Sequence, residues 1–344
     1  MGPLMNLGNT SVLLGAENVE VSELRRLAKV VETAGFHAAW TVDGDADPSV
    51  FSHEILAQTT GLVSGSCVVA RWKRHPMLMA QTLASLDHLY PGRVSIGIGS
   101  AAWMSHPRAS WGAPLDHLVG RMSEFVEILR RALAGEHVDV DGRYYVAEGR
   151  AAPTPSHHVP IYVAAAGPQM AGLAGRKADG VFLHVGTAAR IGVLAEAARS
   201  AAERVGRDPD GLRVDQVVYA CVDETRELAA DALRRLIATG LSDDQLTEAV
   251  TELRSAETAA AVITQRTAGD HEAVAAAIPD EFLDQVGVAL ARSESAAYVD
   301  EALARVRAPG VSALTLYPLP AKASDFAGSY AAFADLFQRL AEAN

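Results

Sequence analysis

The chain has 344 residues, of which 49% are hydrophobic and 21% charged, with a formal net charge of −12. That length holds either two ordinary domains or one large α/β barrel, and the apolar content supports a sizeable core and excludes a disordered chain. The negative charge argues against nucleic acid or an anionic membrane as partner, so an anionic ligand would need a local site of backbone N–H groups and a few arginines. Cys67 and Cys221 are the only cysteines and lack metal-ligand spacing, which fits a reducing compartment. No basic-then-apolar leader and no apolar run of about 18 residues is seen, so the chain reads as soluble and cytoplasmic.

Thr10 to Leu14 reads as a short buried strand. Ser22 is expected to cap a helix with Leu24, Leu27, Val30 and Val31 on one face, ended by Gly35. His37 to Val42 is strand two, with Asp43-Gly44-Asp45 at its mouth. Val50 to Val63 is helix two and Ser66 to Ala70 strand three. A basic loop, Arg71 to His75, leads to Pro76, which can open helix three. Arg93 to Ile98 is strand four. The stretch from Ser66 onward is thus a β-α-β unit of a parallel sheet.

A loop rich in Trp, His and Pro follows from Ser100 to Pro114, then a helix from Leu115 to Leu133. Val138 to Val146 alternates about Asp141-Gly142 and reads as a hairpin outside the barrel. Ile161 to Ala165 is strand five, followed by a helix to Lys177; Gly180 to His184 is strand six, Thr187 to Val205 a helix, and Leu212 to Val222 strand seven. Arg226 to Ala238 is helical. Residues 241–278 read as an inserted helical segment, 280–291 are ambiguous, 296–306 are a helix, Ser312 to Tyr317 is strand eight, and Asp325 to Ala341 closes the chain. Eight strands alternating with helices without a composition break predict one α/β domain over 1–344, a (β/α)8 TIM barrel with inserted loops. Chemistry is expected beyond the C-terminal strand ends.

Three stretches draw attention there. Gly97-Ile98-Gly99-Ser100-Ala101-Ala102 matches a dinucleotide fingerprint, but Pro107 and Pro114 forbid the helix that should follow. The glycines instead suggest a strand end where a flat ligand approaches the backbone, with plain close packing as the alternative. Ala164 to Met170 leaves a strand through small residues and enters a helix at Pro168; its free N–H groups and helix dipole make an anion site, or merely a tight turn. Arg71, Lys73, Arg74 and His75 either neutralise an acidic ligand or form a solvated loop. Trp72, Trp103 and Trp111 could wall a pocket. Cys67 reads as an inert buried thiol and His157-His158 as surface. No nucleophile elbow, zinc-protease motif or P-loop is present.

With these residues in view, the chain resembles the bacterial luciferase-like family of flavin and deazaflavin enzymes, and within it the F420-dependent branch. The matching segments are AGFHAAWTVD at 34–43, GSCVVARWKRHP at 65–76, LDHLYPGRVSIGIGS at 86–100, GRYYV at 142–146 and VPIYVAAAGPQMAGLAGRKADGV at 159–181. The resemblance implies a barrel with an insertion, a homodimer, and hydride transfer to or from a small organic substrate. Coenzyme F420 is the implied cofactor, with FMN and monooxygenation as the alternative. It implies that Asp43 sits beside the deazaflavin ring and that Cys67-Val68 is a non-prolyl cis peptide against it. It places Ala70, Ser100, Ala101 and Ser105 along the ring and side chain, and Ala165, Ala166, Gly167, Pro168 and Gln169 at the phosphate. Two departures stand out: the family's sugar-phosphate dehydrogenases carry a His where this chain has Gly44 and a Glu where it has Ala102. Another proton donor is then required, and His106, Asp45 and His75 are the candidates. A barrel that has lost redox chemistry, and binds a ligand or runs a non-redox step, is the alternative from another class.

Overall fold

The computed structural model describes residues 7–15, 19–44, 47–100, 114–151, 153–320 and 325–343. Parallel strands form a closed ring. In chain order they are β1 (Thr10–Leu14), β2 (Ala38–Thr41), β3 (Val63–Ser66) with its continuation β4 (Val69–Ala70), and β5 (Ile96–Gly99). After an outer hairpin of β6 (Val138–Asp141) and β7 (Val146–Gly149) come β8 (Ile161–Ala165), β9 (Gly180–His184), β10 (Arg213–Asp223), β11 (Gly287–Ala291) and β12 (Ala313–Pro318). Hydrogen bonding runs β3-β2-β1-β12-β10-β9-β8-β5-β4. Because β3 and β4 are one stretch of chain, and Ser64 bridges to Val94, the two ends of this order meet and the barrel closes.

The helices are α1 (Val21–Thr33), α2 (Pro48–Gln58), α3 (Pro76–Leu89), α4 (Leu118–Leu133), α5 (Pro168–Lys177), α6 (Ala188–Glu203) and α7 (Arg226–Gly240). They continue with α8 (Asp243–Leu253), α9 (Ala256–Thr267), α10 (His271–Ala277), α11 (Asp280–Val286), α12 (Ala296–Val306) and α13 (Phe326–Glu342). Strand side chains alternate between two cores. Leu13, Trp40, Tyr162, Phe182 and Val217 fill the barrel, whereas Val12, Ala39, Val218 and Leu316 pack outward on helices, as a sheet covered by helices requires. Trp40 meets Phe182 and Tyr162 edge-on, with ring centroids 5.5 and 5.8 Å away.

Several boundaries differ from expectation for local reasons. The N-cap of α1 is Glu20 and not Ser22. Helix α2 starts earlier, at Pro48, because Asp47 caps it through Ser49 N–H at 2.9 Å. The hairpin turn is wider, since the Glu124 carboxylate accepts the N–H groups of Arg143, Tyr144 and Tyr145 at 2.9–3.1 Å. The ambiguous stretch 280–291 is the helix α11 followed by a ninth strand position, β11. At Val217 β10 still pairs with β9, but from Tyr219 onward its free edge is taken by β11. Helices α8 to α10 and α11 bury Leu246, Val250, Val262, Val274 and Phe282 in a cluster that reaches Tyr219.

Candidate active site

The C-terminal strand ends form the mouth. Asp43 follows β2, and its side chain is 4% exposed. One carboxylate oxygen accepts the Ala70 N–H at 2.8 Å and the other accepts Lys73 Nζ at 2.8 Å. Lys73 also donates to the Gly44 carbonyl at 2.8 Å. A buried charge is tolerable only with such partners. The expected cis peptide is present at Cys67-Val68, between β3 and β4. Cys67 N–H donates to the Thr41 carbonyl at 2.8 Å, and burial pushes its thiol well above the ordinary range, in keeping with an inert sulfur.

Each member of the basic cluster is engaged by other groups of the protein. Arg71 is fully buried, donating to the Pro114 carbonyl at 2.8 Å and to Tyr145 Oη at 3.4 Å, while its Nε has no partner among the described residues. Arg74 is paired with Asp47. His75 caps α3: its Nδ1 accepts the Met77 N–H at 3.3 Å, which leaves Nε2 to donate to the Val146 carbonyl at 3.0 Å. Both ring nitrogens are therefore tied to backbone, holding the hairpin to the barrel.

Gly97 also turns out differently. A Cβ there would lie 2.4 Å from the Ser66 carbonyl oxygen and 2.7 Å from the Phe182 ring. It is a packing glycine inside the barrel, and the ligand-approach reading fails at this position. Ser100 follows β5 half-buried. Asp45, Ala101, Ser105 and His106 lie outside the described residues, as do Trp103 and Trp111.

The turn after β8 is the reverse of Gly97. Ala165 is buried, Ala166, Pro168 and Gln169 are exposed, and a Cβ on Gly167 would meet nothing within 4 Å. Gly167 is the N-cap of α5 and makes no side-chain cap bond, so the cap side chain takes none of the first-turn N–H groups. Pro168 has no N–H to lose there. On the neighbouring βα turn, Arg190 donates to the Ala166 carbonyl at 2.6 Å and pairs with Glu248 of α8. The sequence reading missed Arg190; its place one turn into the helix after strand six, beside strand five in a parallel ring, was the available signal.

His184, also missed, ends β9. Phe182 faces the barrel interior, so the period of two points His184 inward as well. It is exposed at the mouth, and its ring lies 6.1 Å from that of Tyr219. Although part of its surface is exposed at the mouth, the protein crowding the ring desolvates it and depresses its pKa to about 4, and the ring is neutral at pH 7.

An eight-stranded parallel barrel with its polar groups gathered at this mouth is a TIM barrel of the enzyme kind. The sequence model described as luciferase-like monooxygenase matches residues 5–313, and the chain belongs to that family. It is 27% identical over 289 residues to the F420-dependent glucose-6-phosphate dehydrogenase of Mycolicibacterium fortuitum, covering 79% of this chain and 85% of that one. It is 30% identical over 281 residues to the 5,10-methylenetetrahydromethanopterin reductase of Archaeoglobus fulgidus, covering 76% and 80%. In structure it resembles the coenzyme F420 dependent tetrahydromethanopterin reductase of Methanopyrus kandleri, with TM-score 0.77, 19% identity, and 95% and 97% of the two chains covered. It also resembles the monooxygenase RslO1 of Streptomyces bottropensis, with TM-score 0.65, 21% identity and the same coverage. The chain is an oxidoreductase.

Proposed function

We propose that this enzyme uses coenzyme F420 to transfer hydride to or from a small organic substrate at the barrel mouth. The observation that carries the reading is the turn at 166–167: an uncapped helix start, with open space at Gly167, beside a mouth that holds the buried Asp43. Such a helix start supplies N–H donors and a positive dipole end to a phosphate. The F420-dependent relatives support the choice of cofactor. Ala165, Ala166, Gly167 and Gln169 would hold the phosphate by backbone, with Pro168 shaping the turn. Asp43, Cys67, Val68, Ala70 and Ser100 would border the ring. The deazaflavin, when bound, supplies the hydride carrier; the protein binds it, orients it and moves the substrate's proton.

FMN is the second reading, favoured by the likeness to a monooxygenase structure. It would use the same phosphate turn. A homodimer in the cytoplasm completes the proposal. The family resemblance supports the homodimer, and the two cysteines are unpaired, which fits a reducing compartment. Nucleic acid is not a partner in this reading, since the net charge is −12.

Absorbance and fluorescence titration with oxidised F420 and with FMN tests it. Saturable F420 binding with weaker FMN binding is expected. The reverse order selects the FMN reading, and binding of neither refutes both in favour of a barrel without redox chemistry.

A further inference from the structure

Hydride transfer at an alcohol or carbonyl carbon leaves a proton to be moved at the oxygen, and the described mouth residues narrow the choice of group. Asp43 is committed to Ala70 N–H and Lys73. His75 has both nitrogens on backbone atoms. His37 precedes β2 and so lies at the opposite end of the barrel. His184 is different. It ends a barrel strand, faces inward and is exposed. Neither ring nitrogen has a hydrogen bond among the described residues. Tyr219 stands behind its ring at 6.1 Å, and Tyr317 beyond Tyr219 at 6.4 Å. The edge-on contact with Tyr219 leaves both imidazole nitrogens free of it. In the ring order β1, β2, β3/β4, β5, β8, β9, β10, β12, the strand bearing His184 is four places from β2. In an eight-membered ring that is the far side, so His184 and Asp43 face one another across the mouth.

We propose that His184 exchanges the proton of the substrate's reacting oxygen, and that the substrate is an alcohol or its carbonyl counterpart lying between His184 and the cofactor ring. The inference rests on the deazaflavin reading above. In oxidation, the hydroxyl O–H bond breaks and its proton goes to the neutral imidazole. With the deazaflavin bound, the carbinol hydrogen would leave with its electron pair as hydride to that cofactor while C=O forms. Reduction runs each transfer backward. At pH 7 the imidazole is neutral and has a free ring nitrogen to take that proton.

The test uses the full chain labelled with nitrogen-15 histidine, the signal of residue 184 being assigned from His184→Gln. Without cofactor, its imidazole should titrate below the ordinary value of about 6.5. Saturation with F420 should shift that signal. His184→Gln should bind F420 within about threefold of the parent yet turn over F420 with 2-propanol and 2-butanol roughly 100-fold more slowly or worse. A signal for residue 184 that F420 saturation leaves unmoved overturns the proposal, as does a variant retaining the parent rate. In both cases F420 binding by the parent leaves the deazaflavin reading standing. Failure of the parent to bind F420 or FMN removes that reading and this one with it.

Discussion

Two substitutions at Gly167 separate a binding role from a folding role. Its φ of −150° and ψ of 163° are extended backbone open to any residue, and an added Cβ meets nothing within 4 Å. Gly167→Val should therefore fold, the gain of about 0.4–1 kcal/mol from losing a flexible glycine being offset by the poorer N-cap that valine makes, about 0.5–1 kcal/mol, so that stability stays close to the parent's. For the cofactor the valine occupies the space where a phosphate would approach the N–H groups. Losing one or two charge-assisted bonds of about 1.5–3 kcal/mol each should weaken binding by about 2 kcal/mol or more, roughly 30-fold. Gly167→Asp sharpens the contrast. An aspartate N-cap accepts a first-turn N–H and should stabilise α5 by a few tenths of a kcal/mol, ~0.3, while its charge repels the phosphate and binding should fall further than in the valine variant. Urea unfolding and F420 fluorescence titration on the same preparations give both quantities. If both variants unfold like the parent and also bind F420 and FMN like the parent, the phosphate is not held at this turn.

Asp43→Asn keeps the shape but leaves Lys73 without its counter-charge and offers one good acceptor where two are used; unfolding free energy should fall by about 2 kcal/mol, and an unchanged denaturation midpoint counts against the buried pair. Gly97→Ala sets a methyl 2.4 Å from the Ser66 carbonyl oxygen and 2.7 Å from Phe182, so a loss of about 3 kcal/mol or more is expected in chemical unfolding, and a parent-like curve contradicts the packing role. Burial, partly offset by Arg213 and the Thr315 hydrogen bond, raises the Asp215 pKa to about 6. Its proton is thus held more tightly in the folded than in the unfolded chain. The stability this confers is full below the unfolded value near 4 and is lost as pH rises toward 6. Burial and Arg213 lower His37 to about 4, which acts in the opposite sense over a window of pH about 4 to 6.5. Asp215→Asn removes the first contribution only, so the variant's stability should climb more steeply with pH between about 4 and 6, by up to about 1.4 kcal/mol per pH unit. Parallel pH curves for parent and variant refute this.

Much of the barrel was legible because a parallel strand buried on both faces, bounded by turn residues and alternating with helices, leaves a local pattern. TSVLL, GVFLH and SALTLY fall on β1, β9 and β12 to within a residue, and Pro76 and Pro168 open α3 and α5 as their fixed φ predicts. Residues 66–70 read as one strand, whereas the chain breaks it into β3 and β4 at Cys67-Val68; the cis bond there was indicated by the family resemblance alone. The sequence also carries the net charge of −12, and among the described residues no helix is long and apolar enough to cross a membrane.

What the chain order could not convey is which distant groups meet. Arg71, Lys73 and Arg74 are adjacent and alike in sequence, yet one is buried against a carbonyl, one neutralises Asp43 and one pairs with Asp47. Gly97 and Gly167 are equally plausible ligand glycines on paper; only the positions of Ser66, Phe182 and empty space distinguish a packing contact from an open turn. Strand β11 was ambiguous because its partner is the edge of β10 that β9 vacates, a vacancy created by barrel closure. His184 looked like an ordinary strand end. Its place opposite Asp43 follows from the eightfold ring, in which the separation of two side chains depends on strand order around the barrel and not on their distance along the chain.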